Sequence, residues 1–372
     1  MIEIERLLGY LRNASYREFC GISGRSAIRK GKEMKKVALG NTGLEVSQVC
    51  LGNMLMGSTI GKEDSFRILD RFVEAGGNFI DTANCYAWWI GKGEFVGDEG
   101  EMILGEWMKS RGLREKLVVS TKVGARLKNP SIMRNEQGEV YWDRISNQYE
   151  FLAPETIRKG VEDSLRRLQT DYIDLYFAHI DDRRTPLEET LRAFDDLVRA
   201  GKVRHIGCSN FRTWRLAQAR QLSEDLGLAK YSVLQQNFSY LRPRANAELG
   251  IDGYVDDGLV DYQKSNPDLA VMVCSPLLKG LFNDSARRAA YYNWHLYDTA
   301  DSAARLAVLE KMAAELGVTG NQLVLAWMLH LEAPKTIPLL GFSRMSQLEE
   351  NLKALDISLS PEQMATLSKA GA

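Results

Sequence analysis

The chain reads as an α/β protein. The expected fold is a closed (β/α)8 TIM barrel with an N-terminal β-hairpin and long loops at the C-terminal mouth. Three observations predict this. Eight short apolar segments alternate with helical patterns from about residue 49 onward, the repeat expected of such a barrel. The strands are apolar on both faces, as in a parallel sheet that helices cover. The first strand-to-helix turn, Gly52-Asn53-Met54-Leu55-Met56-Gly57, lacks the glycine fingerprint of a doubly wound dinucleotide fold. The other glycine cluster, Gly91-Lys92-Gly93 to Gly97, has the wrong spacing and follows no strand.

Taken in order, Val37-Ala38-Leu39 and Leu44-Glu45-Val46 flank Gly40-Asn41-Thr42-Gly43, a hairpin signal. Val49-Cys50-Leu51-Gly52 is the first barrel strand. Further strands are expected at about 77–82, 117–122, 172–178, 203–208, 232–236, 270–274 and 336–340. Helical patterns fall at about 64–75, 99–110, 155–168, 187–200, 212–226, 256–265, 319–331 and 346–355. Each repeats apolar residues three and four apart, as in Leu187, Leu191, Phe194, Leu197 and Val198. Ser360-Pro361-Glu362 opens a last short helix that runs to Lys369. Insertions at 86–98, 124–152 and 279–300 lie on the strand-to-helix side, where barrel enzymes place their chemistry. They carry Trp88, Trp89, Tyr141, Trp142, Tyr149, Tyr291, Tyr292 and Trp294. Aromatic rings in such loops either wall a pocket or pack the loops down, and Trp88, Trp89, Trp142 and Trp294 are the candidate pocket residues.

Composition narrows the function. The 372 residues carry a net charge of −1, which offers no attraction for nucleic acid or an anionic membrane. Apolar runs are strand length, far short of the roughly twenty residues that span a bilayer. The five cysteines are scattered and the four histidines show no ligand spacing, so neither a disulfide framework nor a metal site is expected. The chain reads as a reduced, cytoplasmic protein acting on a small molecule. Residues 1–33 mix acidic and basic side chains, and their first dozen would suit a short amphipathic helix. They are expected to be a poorly ordered extension, or the product of a start assigned upstream of Met34. Residues 34–372 are expected to be the barrel.

The chemistry is expected at three consecutive strand ends. Asn78-Phe79-Ile80-Asp81 delivers a carboxylate to the barrel mouth, and the following loop brings Tyr86 back over it. Leu117-Val118-Val119-Ser120-Thr121-Lys122 ends in a lysine that is costly to bury unpaired. Ile173-Asp174-Leu175-Tyr176-Phe177-Ala178 leads into His179. Singly, each residue has an ordinary reading as a cap, a solvated end or a rim residue. Together they suit proton donation. A lysine ammonium lowers the pKa of a neighbouring phenol, a carboxylate holds that lysine charged, and a histidine orients a substrate oxygen.

With these residues in place, the sequence resembles the aldo-keto reductase family from about Met34 to the C-terminus. The resemblance rests on Leu39-Gly40-Asn41-Thr42-Gly43-Leu44-Glu45-Val46-Ser47, Phe79-Ile80-Asp81-Thr82-Ala83 with Tyr86, and Ser120-Thr121-Lys122. It continues in Asp171-Tyr172-Ile173-Asp174-Leu175 with His179, and in Gly201-Lys202-Val203-Arg204-His205-Ile206-Gly207-Cys208-Ser209-Asn210-Phe211. Ser275-Pro276-Leu277 and Gln347-Leu348-Glu349-Glu350-Asn351 complete it. It implies a tetrad of Asp81, Tyr86, Lys122 and His179, with Tyr86 as the acid. It also implies NADP(H) across the barrel mouth, with NAD(H) as the lesser alternative.

The cofactor residues implied are Gly52, Asn53 and Met54 after the first strand, and Ser209, Asn210 and Gln235 at the carboxamide. Ser275, Leu277 and Lys279 belong to the pyrophosphate loop. Ser343, Arg344, Gln347, Glu350 and Asn351 belong to the adenosine end. Arg344 and the amides opening the last barrel helix favour the extra phosphate of NADPH. Cys274 stands where relatives often carry a ring that stacks on the nicotinamide. Ile180-Asp181-Asp182 replaces a common Trp-Pro or Arg-Pro pair, and the 124–152 insertion is long. Two other functions compete with carbonyl reduction: a Schiff-base aldolase using Lys122, and a cofactor-sensing or structural subunit with little turnover. The identity of the carbonyl substrate and the oligomeric state are not written in the sequence.

Overall fold

The computed structural model describes residues 34–291 and 293–371. The expectations for residues 1–33 and for Tyr292 lie outside them. β1 (Lys36–Ala38) pairs antiparallel with β2 (Glu45–Ser47), with Val37 opposite Val46. Gly40 turns the chain between them at φ +55°, and a Cβ there would sit 2.5 Å from the carbonyl oxygen of Asp268. Only glycine satisfies both constraints.

Eight parallel strands then close a barrel. They are β3 (Cys50–Gly52), β4 (Phe79–Asp81), β5 (Val118–Val123), β6 (Ile173–Ala178), β7 (Val203–Ser209), β8 (Val233–Asn237), β9 (Ala270–Cys274) and β10 (Thr336–Gly341). Each pairs with the next, and β10 closes on β3 with Gly341 opposite Gly52. Alternate residues along each strand point inward. At the N-terminal end the interior is apolar, filled by Cys50, Phe79, Val118, Leu175, Phe177, Val233, Met272 and Ile337. Leu39 and Val46 of the hairpin join this cluster and seal the barrel floor.

Helices cover the outside. In order they are α1 (Lys62–Glu74), α2 (Glu99–Arg111), α3 (Pro154–Leu168), α4 (Leu187–Arg199), α5 (Thr213–Leu226), α6 (Asp257–Ser265), α7 (Ser285–Arg288), α8 (Ala300–Leu316), α9 (Gly320–Leu329), α10 (Met345–Ala354) and α11 (Pro361–Lys369). Their apolar stripes, such as Ile68, Leu69 and Phe72 of α1, pack on outward strand residues including Leu51, Ile80 and Val119. Ser360 caps α11 in a reciprocal box with Gln363, with Pro361 in the first turn. Among the described residues no helix is long and apolar enough to cross a membrane.

The strands and helices lie where the sequence places them, with two additions, the single turn of α7 inside the 279–300 insertion and the longer α8. α8, seventeen residues long, was not anticipated. Its alanines, Ala300, Ala303, Ala304, Ala307, Ala313 and Ala314, blur the contrast between faces that marks an amphipathic helix. Thr299 caps it by accepting a hydrogen bond from the Ser302 amide. The 124–152 insertion is folded down by short 3-10 turns at Pro130–Met133 and Trp142–Asn147, and by antiparallel bridges Leu127–Tyr149 and Arg134–Val140.

Candidate active site

Asp81, Lys122 and His179 stand at the C-terminal ends of three adjacent strands, β4, β5 and β6. Asp81 and Lys122 are both completely buried. The register sets Asp81 opposite Ser120, so Lys122, two residues on, shares the same inward face. An ammonium has three N–H donors, and here each has an acceptor. Lys122 Nζ donates to Asp81 Oδ2, to the Thr82 carbonyl oxygen at 2.7 Å and to the Tyr86 hydroxyl oxygen at 2.7 Å. Asp81 Oδ1 accepts from Ser120 Oγ at 2.6 Å and from Gln235 Nε2 at 3.3 Å. The buried pair is thus hydrogen-bonded all round, the condition under which an ion pair survives desolvation.

Tyr86 comes over this pair from the loop after β4. Ala87 turns the chain behind it at φ +72°, a conformation uncommon outside glycine. Because Lys122 donates to the phenol oxygen, the phenolic hydrogen is left for another acceptor. Tyr86 meets the His179 ring edge-on, with centroids 5.9 Å apart and planes at 83°. His179 Nδ1 lies 3.6 Å from Cys85 Sγ, and its backbone oxygen accepts from Asn210 Nδ2 at 3.0 Å.

The electrostatics correct one expectation. The ammonium does not draw the phenol down in this resting site. Burial, then Asp81 and neighbouring thiols, pushes the Tyr86 pKa well above 10. Burial outweighs the nearby cation because it penalises phenolate directly. Burial, followed by Lys122, holds His179 well below 6.5. At neutral pH the site therefore presents a full phenol and a neutral imidazole.

The four candidate tryptophans separate. Trp89 meets Tyr86 edge-on, centroids 6.4 Å apart, and so stands beside the tetrad. Trp88 is buried with Met133, Ile145 and Ile180, where it packs the two insertions together. Trp142 is 63% exposed and rests on Trp88. Trp294 packs against the main core with Tyr291. Among the described residues neither Trp142 nor Trp294 makes a ring contact with the tetrad.

The candidate cofactor residues ring the same mouth. Gly52 ends β3. Asn53 is buried, its amide N–H donating to Asp81 O and its Nδ2 to Gly100 O at 2.7 Å, while Met54 is partly exposed. Asn53 thus ties α2 to the site. Ser209 Oγ donates to Gln235 O at 3.0 Å, and Asn210 Oδ1 accepts from the Gly253 amide at 3.0 Å. Cys274 Sγ donates to Asn237 Oδ1 at 3.4 Å. After β9, Ser275, Leu278 and Lys279 take φ of +54°, +44° and +57° around Leu277, a tight loop closed by the Leu278 amide on Ser275 O at 3.1 Å and the Gly280 amide on Leu277 O at 2.8 Å. Exposed Arg344 opens α10 with no side-chain cap, and the Gln347 amide donates back to its carbonyl oxygen at 3.1 Å, which sets a helix N-terminus beside a guanidinium. Gln347 receives both the amide and the hydroxyl of Ser343, and Asn351 is buried one turn on. Glu350 accepts from Asn283 Nδ2 at 2.6 Å and Thr319 Oγ1 at 2.7 Å, joining the loop after β9 to the start of α9. The tight loop after β9 with Lys279, and the N-terminus of α10 with Arg344, are compatible with the phosphates of a dinucleotide.

Three contacts were not foreseen. Ser120 buttresses Asp81, and the two-residue alternation of β5 would have pointed to it. Cys85 meets His179. On the outer face of β5, Thr121 Oγ1 donates to buried Glu101 at 2.5 Å, which Arg167 Nε also contacts at 2.6 Å. Nothing local in the sequence announces that last network.

The barrel and the polar cluster at its mouth are those of an oxidoreductase fold, and the family match makes the class an NAD(P)H-dependent oxidoreductase. The sequence profile of the Aldo/keto reductase family matches residues 48–372, and the chain belongs to that family. Similar proteins include one named uncharacterized oxidoreductase YrpG from Bacillus subtilis, 34% identical over 346 residues, which are 90% of this chain and 95% of that one. A norsolorinic acid reductase of Emericella nidulans is 32% identical, covering 87% of this chain and 77% of its own. An aryl-alcohol dehydrogenase [NADP(+)] of Phanerodontia chrysosporium is 29% identical, covering 88% and 83%.

Replacing Lys122 by Met would leave Asp81 buried without its cation, and is expected to cost ~3–5 kcal/mol. The double substitution Asp81→Asn with Lys122→Met should recover part of that loss. Urea unfolding of the three variants measures both; a Lys122→Met protein as stable as wild type would contradict the assignment of this pair as the anchor of the site.

Proposed function

We propose that this protein reduces an aldehyde or ketone to the alcohol with NADPH, and that Tyr86 gives the proton. The observation that carries this reading is the threefold coordination of Lys122. One bond fixes Asp81, one fixes the strand end, and the third points at the oxygen that must bear negative charge when Tyr86 gives up its hydrogen. The dihydronicotinamide supplies the hydride. His179, neutral, offers an N–H to the carbonyl oxygen and aligns it with Tyr86. As alkoxide develops, the phenol proton moves to it, and the Lys122 bond strengthens on the phenolate left behind. The phenol is reprotonated from solvent after the alcohol leaves. The same coordination disfavours an aldolase, since a nucleophilic lysine needs a free, accessible amine and Lys122 is wholly buried.

The names of two relatives support the finer points. A reductase of norsolorinic acid and an NADP(+)-linked aryl-alcohol dehydrogenase favour NADP(H) and an aromatic carbonyl. Trp89 beside Tyr86 supplies an aromatic wall of the kind such a substrate would lie against. Ser209, Asn210 and Gln235 are proposed to hold the carboxamide end, the loop at Ser275–Lys279 the pyrophosphate, and Arg344 the ribose phosphate. The described cysteines, Cys50, Cys85, Cys208 and Cys274, are free thiols, which suits a reducing cytoplasm.

Tyr86→Phe should lower kcat for NADPH oxidation with aromatic aldehydes by about 10²–10⁴-fold, the usual worth of a positioned acid. Quenching of NADPH fluorescence should persist in the variant. Undiminished turnover would overturn the role of Tyr86, and quenching without turnover in wild type on any carbonyl would favour a cofactor sensor. Arg344→Leu should raise KM for NADPH by about tenfold, the worth of one charge-assisted contact, while leaving KM for NADH unchanged. Equal changes with both cofactors would remove Arg344 from phosphate recognition.

A further inference from the structure

Cys85 immediately precedes the tyrosine, and its side chain is buried against His179. Its sulfur lies 3.6 Å from Nδ1 of that ring. The imidazole is neutral, because burial and the Lys122 charge both disfavour its protonation. A neutral imidazole has one N–H and one bare nitrogen. Two tautomers are therefore open to His179. In the first, Nδ1 carries the hydrogen and directs it at sulfur. In the second, the thiol hydrogen goes to bare Nδ1, and Nε2 carries the only ring N–H.

The surroundings of the thiol choose between them. Burial pushes the Cys85 thiol up to about 12, so it keeps its hydrogen at neutral pH. Among the described residues, Nδ1 is the one hydrogen-bond partner of that sulfur. The first tautomer spends a good N–H donor on a weak sulfur acceptor and leaves the thiol hydrogen unpartnered. The second uses both groups, with S–H as donor and the ring nitrogen as a strong acceptor. The ring is also held by its edge-on contact with Tyr86, and its main chain by the bond from Asn210 Nδ2.

We propose that Cys85 is a positioning residue whose thiol holds His179 in the tautomer that carries its only N–H on Nε2, the donor offered to the carbonyl oxygen. The proposal rests on the reductase reading, in which His179 touches the substrate and Cys85 acts through it.

Nitrogen-15 NMR of histidine-labelled full-length protein reads the tautomer directly, with the His179 signals assigned by their loss in His179→Gln. Wild type should show a bare Nδ1 and a protonated Nε2. Cys85→Val, which removes the donor at similar volume, should move the tautomer ratio toward Nδ1–H by about fivefold, the equilibrium factor of one ordinary hydrogen bond. Its kcat should fall with the Nε2–H population while KM for NADPH holds. Cys85→Ser restores a donor and should restore the tautomer and most of kcat. A wild-type ring protonated on Nδ1 would overturn the proposal, as would Cys85→Val keeping the wild-type tautomer and kcat. If Cys85→Val does not fold, the wild-type and Cys85→Ser spectra decide alone. If the tautomer behaves as stated but no carbonyl is reduced by any form, the reductase reading fails and the thiol's hold on the ring stands.

Discussion

The buried ion pair of Asp81 and Lys122 is the constraint on which the rest of this molecule depends. Two unit charges with no exposed surface are tolerated only when their mutual attraction is supplemented by a complete set of hydrogen bonds. The barrel meets that requirement through register. Asp81 faces Ser120 across the β4–β5 ladder, Gln235 reaches over from β8, and the Thr82 carbonyl closes the third side of the ammonium. Residues from β4, β5 and β8 can converge in this way only because the sheet closes. Tyr86 then occupies the last donor of Lys122, so the hydroxyl proposed to give the proton is located by the same bond that satisfies the buried charge.

Stability and chemistry occupy opposite ends of the barrel. The floor is apolar and covered by the β1–β2 hairpin, while inward positions near the mouth turn polar. β5 carries polar anchors on both faces at this end. Lys122 points in to the tetrad, and Thr121 points out to Glu101, which Arg167 of α3 neutralises. The outward network fastens α2 and α3 to the strand that bears Lys122. Two of the long insertions pack together through Trp88, Met133 and Ile145, and Trp89 packs edge-on against Trp88 where it stands beside Tyr86.

Much of this was legible in the sequence because it is written in local pattern. Strand-length apolar runs ending in Asp81, Lys122 and His179 report both the barrel and the convergence of these residues at its mouth. α8 was not legible, since its alanines leave little contrast between its faces. The state of Tyr86 was not legible either. Proximity to Lys122 argues for a lowered pKa, but the depth of burial, a property of the folded chain alone, argues more strongly the other way. The tryptophans make the same point. Four similar rings in loops divide among a loop core, an exposed surface, the outer packing of the barrel and one place at the site. Residue type cannot distinguish these, whereas contacts can. Ser120 is the instructive intermediate case, because two-residue periodicity alone places it beside Asp81 once the strand ends at Lys122.

In the proposed reaction, proton transfer from the Lys122-bound phenol of Tyr86 accompanies carbonyl reduction. The most direct test replaces Tyr86 with a series of fluorinated tyrosines of increasing acidity and measures the single-turnover rate of NADPH oxidation by a fixed aldehyde. The account predicts a rate that changes systematically with phenol acidity while cofactor binding stays constant. A rate indifferent to the acidity of residue 86 would contradict it.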